Sequence, residues 1–425
     1  MVALLVMSCS LLGSPPAGPV IVIAVDLPMS GAEGRAAVPA LNGARFYVQQ
    51  HPRLDGFTVS LVTKDDSVAG VPEPPLGATN MAAFVANPQV MAVIGPFDSS
   101  VARAEIPVAN QASLAMVSPA TSSPCLTRAQ YLPGALNPTH RDITCKDAGL
   151  PLPADLRPTG VNNYFRLATT DDLQGPAAAD YAYRSLHLLR VATISDHEAY
   201  GQALVAGFTT RFRNLGGSIV NRLDLEPAAS MDTNAFLARA KADGAQAVYF
   251  GGVTANMGCA IRQDMASVFG PGEAAPYLGG DGIAEDPACA QAAGANAAGI
   301  YATVPIVDTS TVETAFPVIA AFRATYPNPQ DYGPYTVITY DAVAVLYDAL
   351  HRAIKAAGGA LPPRGNVISQ LSATHDFAGA SGAFGFEAAG DSTRKIVSIF
   401  EALGPDPRTP WKHVGTIDYT NAPPY

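Results

Sequence analysis

Apolar residues in this chain fall into short, largely unbroken runs rather than strict alternation. Such runs occupy 20–25, 91–94, 114–117, 189–194, 219–225, 247–250 and 395–400, and a glycine, proline, serine, threonine or acidic residue soon follows each. Runs of this kind belong to strands buried on both faces of a parallel sheet. Between them lie segments with apolar residues at helical spacing: 38–50, 81–86, 101–109, 174–187, 204–215, 235–242 and 335–357. Leu204, Phe208, Phe212 and Leu215 share one face, and Gly216-Gly217 stops that helix. Val343, Leu346, Leu350 and Ile354 mark the stripe that 335–357 buries. Strand and helix alternate in two series, which predicts an α/β protein built from two doubly wound parallel-sheet units. Between the series, 128–160 is Pro-rich and without period, and reads as a long loop.

The stretch 91–127 is the most informative. It reads strand, hydroxyl-rich turn (Asp98, Ser99, Ser100), helix, strand, then a second hydroxyl-rich turn, 118–124. In a parallel sheet both turns sit at the carboxyl ends of neighbouring strands, where open α/β sheets bind ligands. The free N–H groups of a helix start, with hydroxyls beside them, favour an anion such as a carboxylate.

Six motifs carry a family resemblance: IGPFDSSVA at 94–102, SPATSSPCLT at 118–127, QGPAAADY at 174–181, AYGQAL at 199–204, GGDG at 279–282 and YGPYTVITYDAV at 332–343. In this order and spacing the chain resembles a type I periplasmic solute-binding protein of the branched-chain amino acid (Leu/Ile/Val) kind, from an ABC importer. The resemblance implies a clamshell of two lobes joined by a three-strand hinge. Lobe 1 is then 19–166 plus 306–383 and lobe 2 is 167–305 plus 384–425, with 1–18 a leader and tether. The tail beyond Gly404 is expected on the surface, and 128–160 is an insertion relative to the family.

Motif by motif, the family's carboxylate donors fall on Ser99, the backbone N–H of Ala120, and Ser122, with Thr121 beside them. Its acid for the ligand ammonium falls on Asp281. Tyr200 matches a tyrosine that closes over the ligand, and Tyr335 lies near another contact. Two positions depart from the pattern: Ala36 and Val253 stand where founding members carry aromatic residues, which reshapes the side-chain subsite. The implied partners are a small amino acid or carboxylate and an ABC permease, with no cofactor, no metal and a monomeric state. A ligand-sensing receptor domain and a binder of non-amino organic acids are the alternatives.

Composition narrows the classes. Hydrophobic residues make up 48% and charged residues 15%, a globular balance. A net charge of −10 argues against a nucleic-acid partner. The first dozen residues are apolar, too few for a membrane span, and read as a secretory signal. Val6-Met7-Ser8-Cys9 resembles a lipobox, with Cys9 as the lipidated residue on the outer face of a bacterial membrane. The other four cysteines allow three pairings. The expected one, Cys125–Cys145 with Cys259–Cys289, keeps each bridge inside one lobe. There is no CxxC or HxxxH for zinc, no GxSxG elbow and no Walker lysine motif, so no enzyme class is indicated.

Overall fold

The computed structural model describes residues 18–421 apart from 32, 69, 133–142, 197, 226–232, 272–273 and 407–410. Two large sheets organise it. The first has six strands in the order Tyr164–Arg166, Ala115–Ser118, Val90–Ile94, Val20–Leu27, Phe57–Asp65 and Arg53–Leu54. Only its last pairing is antiparallel. The second has seven strands in the order Ser218–Asp224, Arg190–Ser195, Ala247–Gly251, Tyr277–Gly279, Ile300–Val304, Ile396–Glu401 and Lys412–Asp418. Its first five run parallel, and the last two add an antiparallel edge.

The apolar runs are unbroken because both faces of each central strand are covered. Ile21, Ile23 and Val25 share one core with the helices Gly34–Gln50 and Thr336–Ala356. Val22 and Ala24 point the other way, into a core with Met81, Phe84, Ala102 and Ile106 from Pro74–Ala86 and Ser99–Gln111. The second sheet repeats this. Ala192, Ile194, Val248 and Phe250 meet Leu237, Ile261 and Met265, while Val191, Ala247 and Tyr249 meet Leu204, Phe208 and Phe212. Each valine, leucine, isoleucine, phenylalanine or methionine among them, taken fully out of water, contributes about 1.5–3 kcal/mol.

The chain passes between the sheets near 167–170, 305–308 and 385–395, and the three passes are tied together. Thr169 donates its N–H to Pro305 O at 2.7 Å and its hydroxyl to Ile396 O at 2.8 Å. Asp308 donates its N–H to Ser398 Oγ at 2.7 Å. Cys125–Cys145 and Cys259–Cys289 are bonded, with Cα separations of 5.6 and 5.0 Å.

The expected surface tail is corrected here. Lys412–Asp418 extends the second sheet beside Ile396–Glu401, and Tyr419 is buried, its hydroxyl donating to Asp180 at 3.0 Å. The 128–160 segment forms a short antiparallel pair, Gln130–Leu132 with Ile143–Thr144. Tyr131 and Ile143 face Gln202, Ala206 and Arg222 across a cavity of about 230 Å³, so the segment reaches the second unit. Cys9 lies outside the described residues. Among the described residues no helix is long and apolar enough to cross a membrane.

Candidate ligand-binding site

The two hydroxyl-rich turns of the first sheet are locked to one another. Gly95 has φ +119°, and a Cβ there would lie 2.2 Å from Asp26 O, so only glycine allows this exit from the strand. Ser118, fully buried at the end of its strand, donates to Pro96 O at 2.8 Å and accepts from Thr121 N at 3.1 Å and Ala120 N at 3.3 Å. Ser123 N donates to Ser99 Oγ at 3.2 Å. The Thr121 hydroxyl lies against the hydroxyls of Ser118 and Tyr164.

Beneath this turn sits a buried arginine that the motifs did not flag. Arg166 donates to Ser123 O at 2.7 Å, Thr121 O at 3.3 Å and Thr127 Oγ1 at 2.6 Å, and pairs with Asp391 at 2.7 Å. Burial alone would raise the Asp391 carboxyl, but Arg166, Arg128 and Lys395 hold it down at about 2. The ion pair therefore fixes the carbonyls on either side of Ser122.

In the second unit, Asp281 follows the strand Tyr277–Gly279. Its Oδ1 accepts from Tyr200 OH at 2.6 Å and Gln174 Nε2 at 2.9 Å, and its Oδ2 accepts from Tyr335 OH at 2.7 Å. Gly280 makes room for this: a Cβ there would lie 2.6 Å from Tyr200 OH and 3.3 Å from Gln174 Nε2. Tyr335 belongs to the first core, so its bond to Asp281 joins the two units. Burial and the Asp281 charge push the Tyr200 and Tyr335 hydroxyls well above their usual range, which keeps both protonated as donors. Phe97 packs edge-on against Tyr335 at 5.0 Å.

The cleft is acidic. Burial, offset in part by Ser122 and reinforced by Asp281, pushes the Asp171 carboxyl up to about 8. Burial, then repulsion from Asp66 and Asp281, does the same to Asp98, up to about 8. Burial, then Asp98, Asp286 and Asp281, raises Glu33 to about 8. Among the described residues none of Asp98, Asp171 and Asp281 has an ion-pair partner.

A family model described as "Periplasmic binding protein" matches residues 20–402. The chain belongs to the periplasmic binding protein family. Its sequence is similar to a leucine-specific-binding protein of Salmonella typhimurium, 26% identical over 335 residues, covering 78% of each chain. Its fold is similar to a leucine-binding protein of Thermotoga maritima, with TM-score 0.73, 24% identity, and 94% and 99% of the two chains covered. A solute-binding protein from R. palustris, solved with benzoate, also shares the fold: TM-score 0.67, 22% identity, 93% and 96% covered.

In this periplasmic binding protein, Tyr200 and Tyr335 meet at Asp281, Ser99 and Ala120 lie in the two turns locked through Ser118 and Ser123, and Asp171 has both Ser122 and Asp281 as neighbours. Val253 is half-buried and its N–H donates to Asp196 Oδ2 at 3.2 Å. Ala36 is half-buried in the first turn of Gly34–Gln50, three residues beyond Glu33. The motifs did not single out Gln174, Glu33 or Asp171 as site groups. Gln174 lies inside the QGPAAADY motif, which could have flagged it.

Proposed function

We propose that this protein is the extracytoplasmic substrate-binding component of an ABC importer and that its ligand is a free amino acid. The supporting observation is Asp281, a carboxylate with three protein donors and, among the described residues, no ion-pair partner. A ligand ammonium would supply the missing countercharge, and the donors around Ser99, Ala120 and Ser122 would take the ligand carboxylate. Closure of lobe 1 (19–166 plus 306–383) on lobe 2 (167–305 plus 384–425) would bury the ligand, and the Tyr335–Asp281 bond is the contact that closure makes. The role is binding and delivery, without chemistry. The monomer would be held at the membrane through a lipid on Cys9 and would hand its ligand to a permease.

A simple organic acid, as in the benzoate-bound neighbour, fits less well. It would bring no positive charge to Asp281, whose carboxylate accepts from Tyr200, Gln174 and Tyr335 and has no ion-pair partner among the described residues. Calorimetry separates the readings. L-Leucine or L-arginine should bind at least tenfold tighter than the same molecule without its α-amino group. Equal affinity for the des-amino acid, or tighter binding of benzoate, would overturn the amino-acid reading.

A further inference from the structure

Three carboxyl groups meet inside the first unit. Asp26 comes from the strand Val20–Leu27, Asp66 directly follows the strand Phe57–Asp65, and Glu105 lies on the helix Ser99–Gln111. All three residues are 0% exposed, and one oxygen of each lies within 4.8 Å of the others. No local spacing reports this group, because each acid comes from a separate element.

The chain holds each acid in place. Asp66 donates its N–H to Leu27 O at 3.3 Å, and its carbonyl accepts from Glu73 N at 2.8 Å. Asn80 donates from Nδ2 to Asp26 Oδ1 at 3.0 Å and to Asp65 O at 2.9 Å. Gly77, on Pro74–Ala86, makes room for Glu105: a Cβ there would lie 3.1 Å from Glu105 Oε1 and 2.5 Å from Val101 Cγ1. Asp26 Oδ2 and both oxygens of Asp66 and of Glu105 are buried and have no hydrogen-bond partner outside the three acids. Among the described residues none of the three forms an ion pair. Lys64 is felt at Asp26, while the charged neighbours felt at Asp66 and Glu105 are acids.

Buried charges are ordinarily paired or coordinate a metal. Carboxylate oxygens with no nitrogen or sulfur ligand suit a hard cation such as Ca²⁺, Mg²⁺ or Mn²⁺. Oxygens about 2.0–2.6 Å from such an ion lie up to about 4–5 Å apart across it, and the 4.8 Å spread fits that size. We propose that Asp26, Asp66 and Glu105 bind a divalent cation inside the first unit. The ion would tie the ends of two paired strands to the helix that opens with Ser99. Protons are the competing occupant. Without an ion, burial pushes Asp26 up to about 7 and Asp66 up to about 8, and Asp26 and Glu105 hydrogen-bond to one another.

The test is metal binding by the full chain, stripped with EDTA and held near pH 8 or above so that protons compete little. No amino acid enters the measurement, so its outcome is independent of the ligand reading. Mn²⁺ titrated alone and followed by electron paramagnetic resonance should saturate at about one ion per chain, and Mn²⁺ or Ca²⁺ should raise the melting temperature above that in EDTA. Asp66→Asn and Glu105→Gln keep size and remove charge, and either gives the readout should the other fail to fold. Loss of an outer-shell partner already weakens metal sites about 10–100-fold, so loss of a ligand should weaken Mn²⁺ binding at least about tenfold. Unchanged Mn²⁺ binding in these variants would place the ion elsewhere and overturn the assignment. A wild-type chain that binds no Mn²⁺ and is not stabilised by either ion would also overturn it, leaving three acids that share protons.

Discussion

Replacing Asp281 with asparagine tests the cleft at its centre, because size is kept and charge is removed. The structure gives two separate consequences. In the unliganded protein, Asp281 accepts from Tyr200, Gln174 and Tyr335. Hydrogen bonds to a charged group contribute about 1.5–3 kcal/mol and neutral ones about 0.5–1.5 kcal/mol. An asparagine oxygen still serves Tyr200 and Gln174, while its NH₂ turns toward Tyr335. Stability should therefore fall by about 1–2 kcal/mol. Ligand binding should fall much further. Removing one partner of a buried ion pair costs about 3–5 kcal/mol, which is about two to four decades in Kd. Urea denaturation gives the first quantity and calorimetry with the cognate amino acid gives the second. Tyr335→Phe serves as the control, since it removes the bond between the units and leaves the charge. If Asp281→Asn weakens binding less than threefold while stability drops, Asp281 is a latch between the lobes and not a ligand group.

Three further outcomes are expected. Asp391→Asn breaks the buried pair with Arg166, so stability in urea should fall by about 3–5 kcal/mol; a loss under about 1 kcal/mol, within the range of an exposed pair, would contradict the anchoring role. Burial holds Asp26 at about 7 and Asp66 and Asp171 at about 8, so the folded chain binds protons that the unfolded chain has released. That stability is fully present below about pH 4 and is lost as pH rises through about 8. The melting temperature of the unliganded protein should therefore fall between about pH 5 and pH 8.5, Asp66→Asn should flatten the fall, and a rising profile would refute the argument. Non-reducing peptide mapping should link Cys125 to Cys145 and Cys259 to Cys289, and a Cys145–Cys259 peptide would contradict the fold.

Much of the scaffold was legible because its central strands are covered on both sides, which forces continuous apolar runs such as 20–25 and 91–94. The strand Lys412–Asp418 was not, since it lies at a half-exposed edge, carries Gly415, and follows a Pro-rich stretch. The turns holding Ser99, Ser122 and Asp281 could be placed from their position after strands. Their supports could not. Tyr200 and Tyr335 were named by the family motifs, but their bonds to Asp281 were not: with Gln174 they reach it from 81, 54 and 107 residues away, and Arg166 reaches Asp391 across 225. No local pattern reports such pairs. Asp98 was visible beside Ser99, but an acid before a helix ordinarily reads as a cap, and only coordinates show that it caps nothing.

The most direct test of the central claim is a thermal-shift screen of the full chain with L-amino acids, small organic acids, sugars and nucleosides. A true ligand present at about 100 times its Kd stabilises by about 2.7 kcal/mol. The account predicts that at least one amino acid raises the melting temperature and that sugars, nucleosides and benzoate do not. A shift from a sugar, a nucleoside or benzoate, with every amino acid silent, would contradict it.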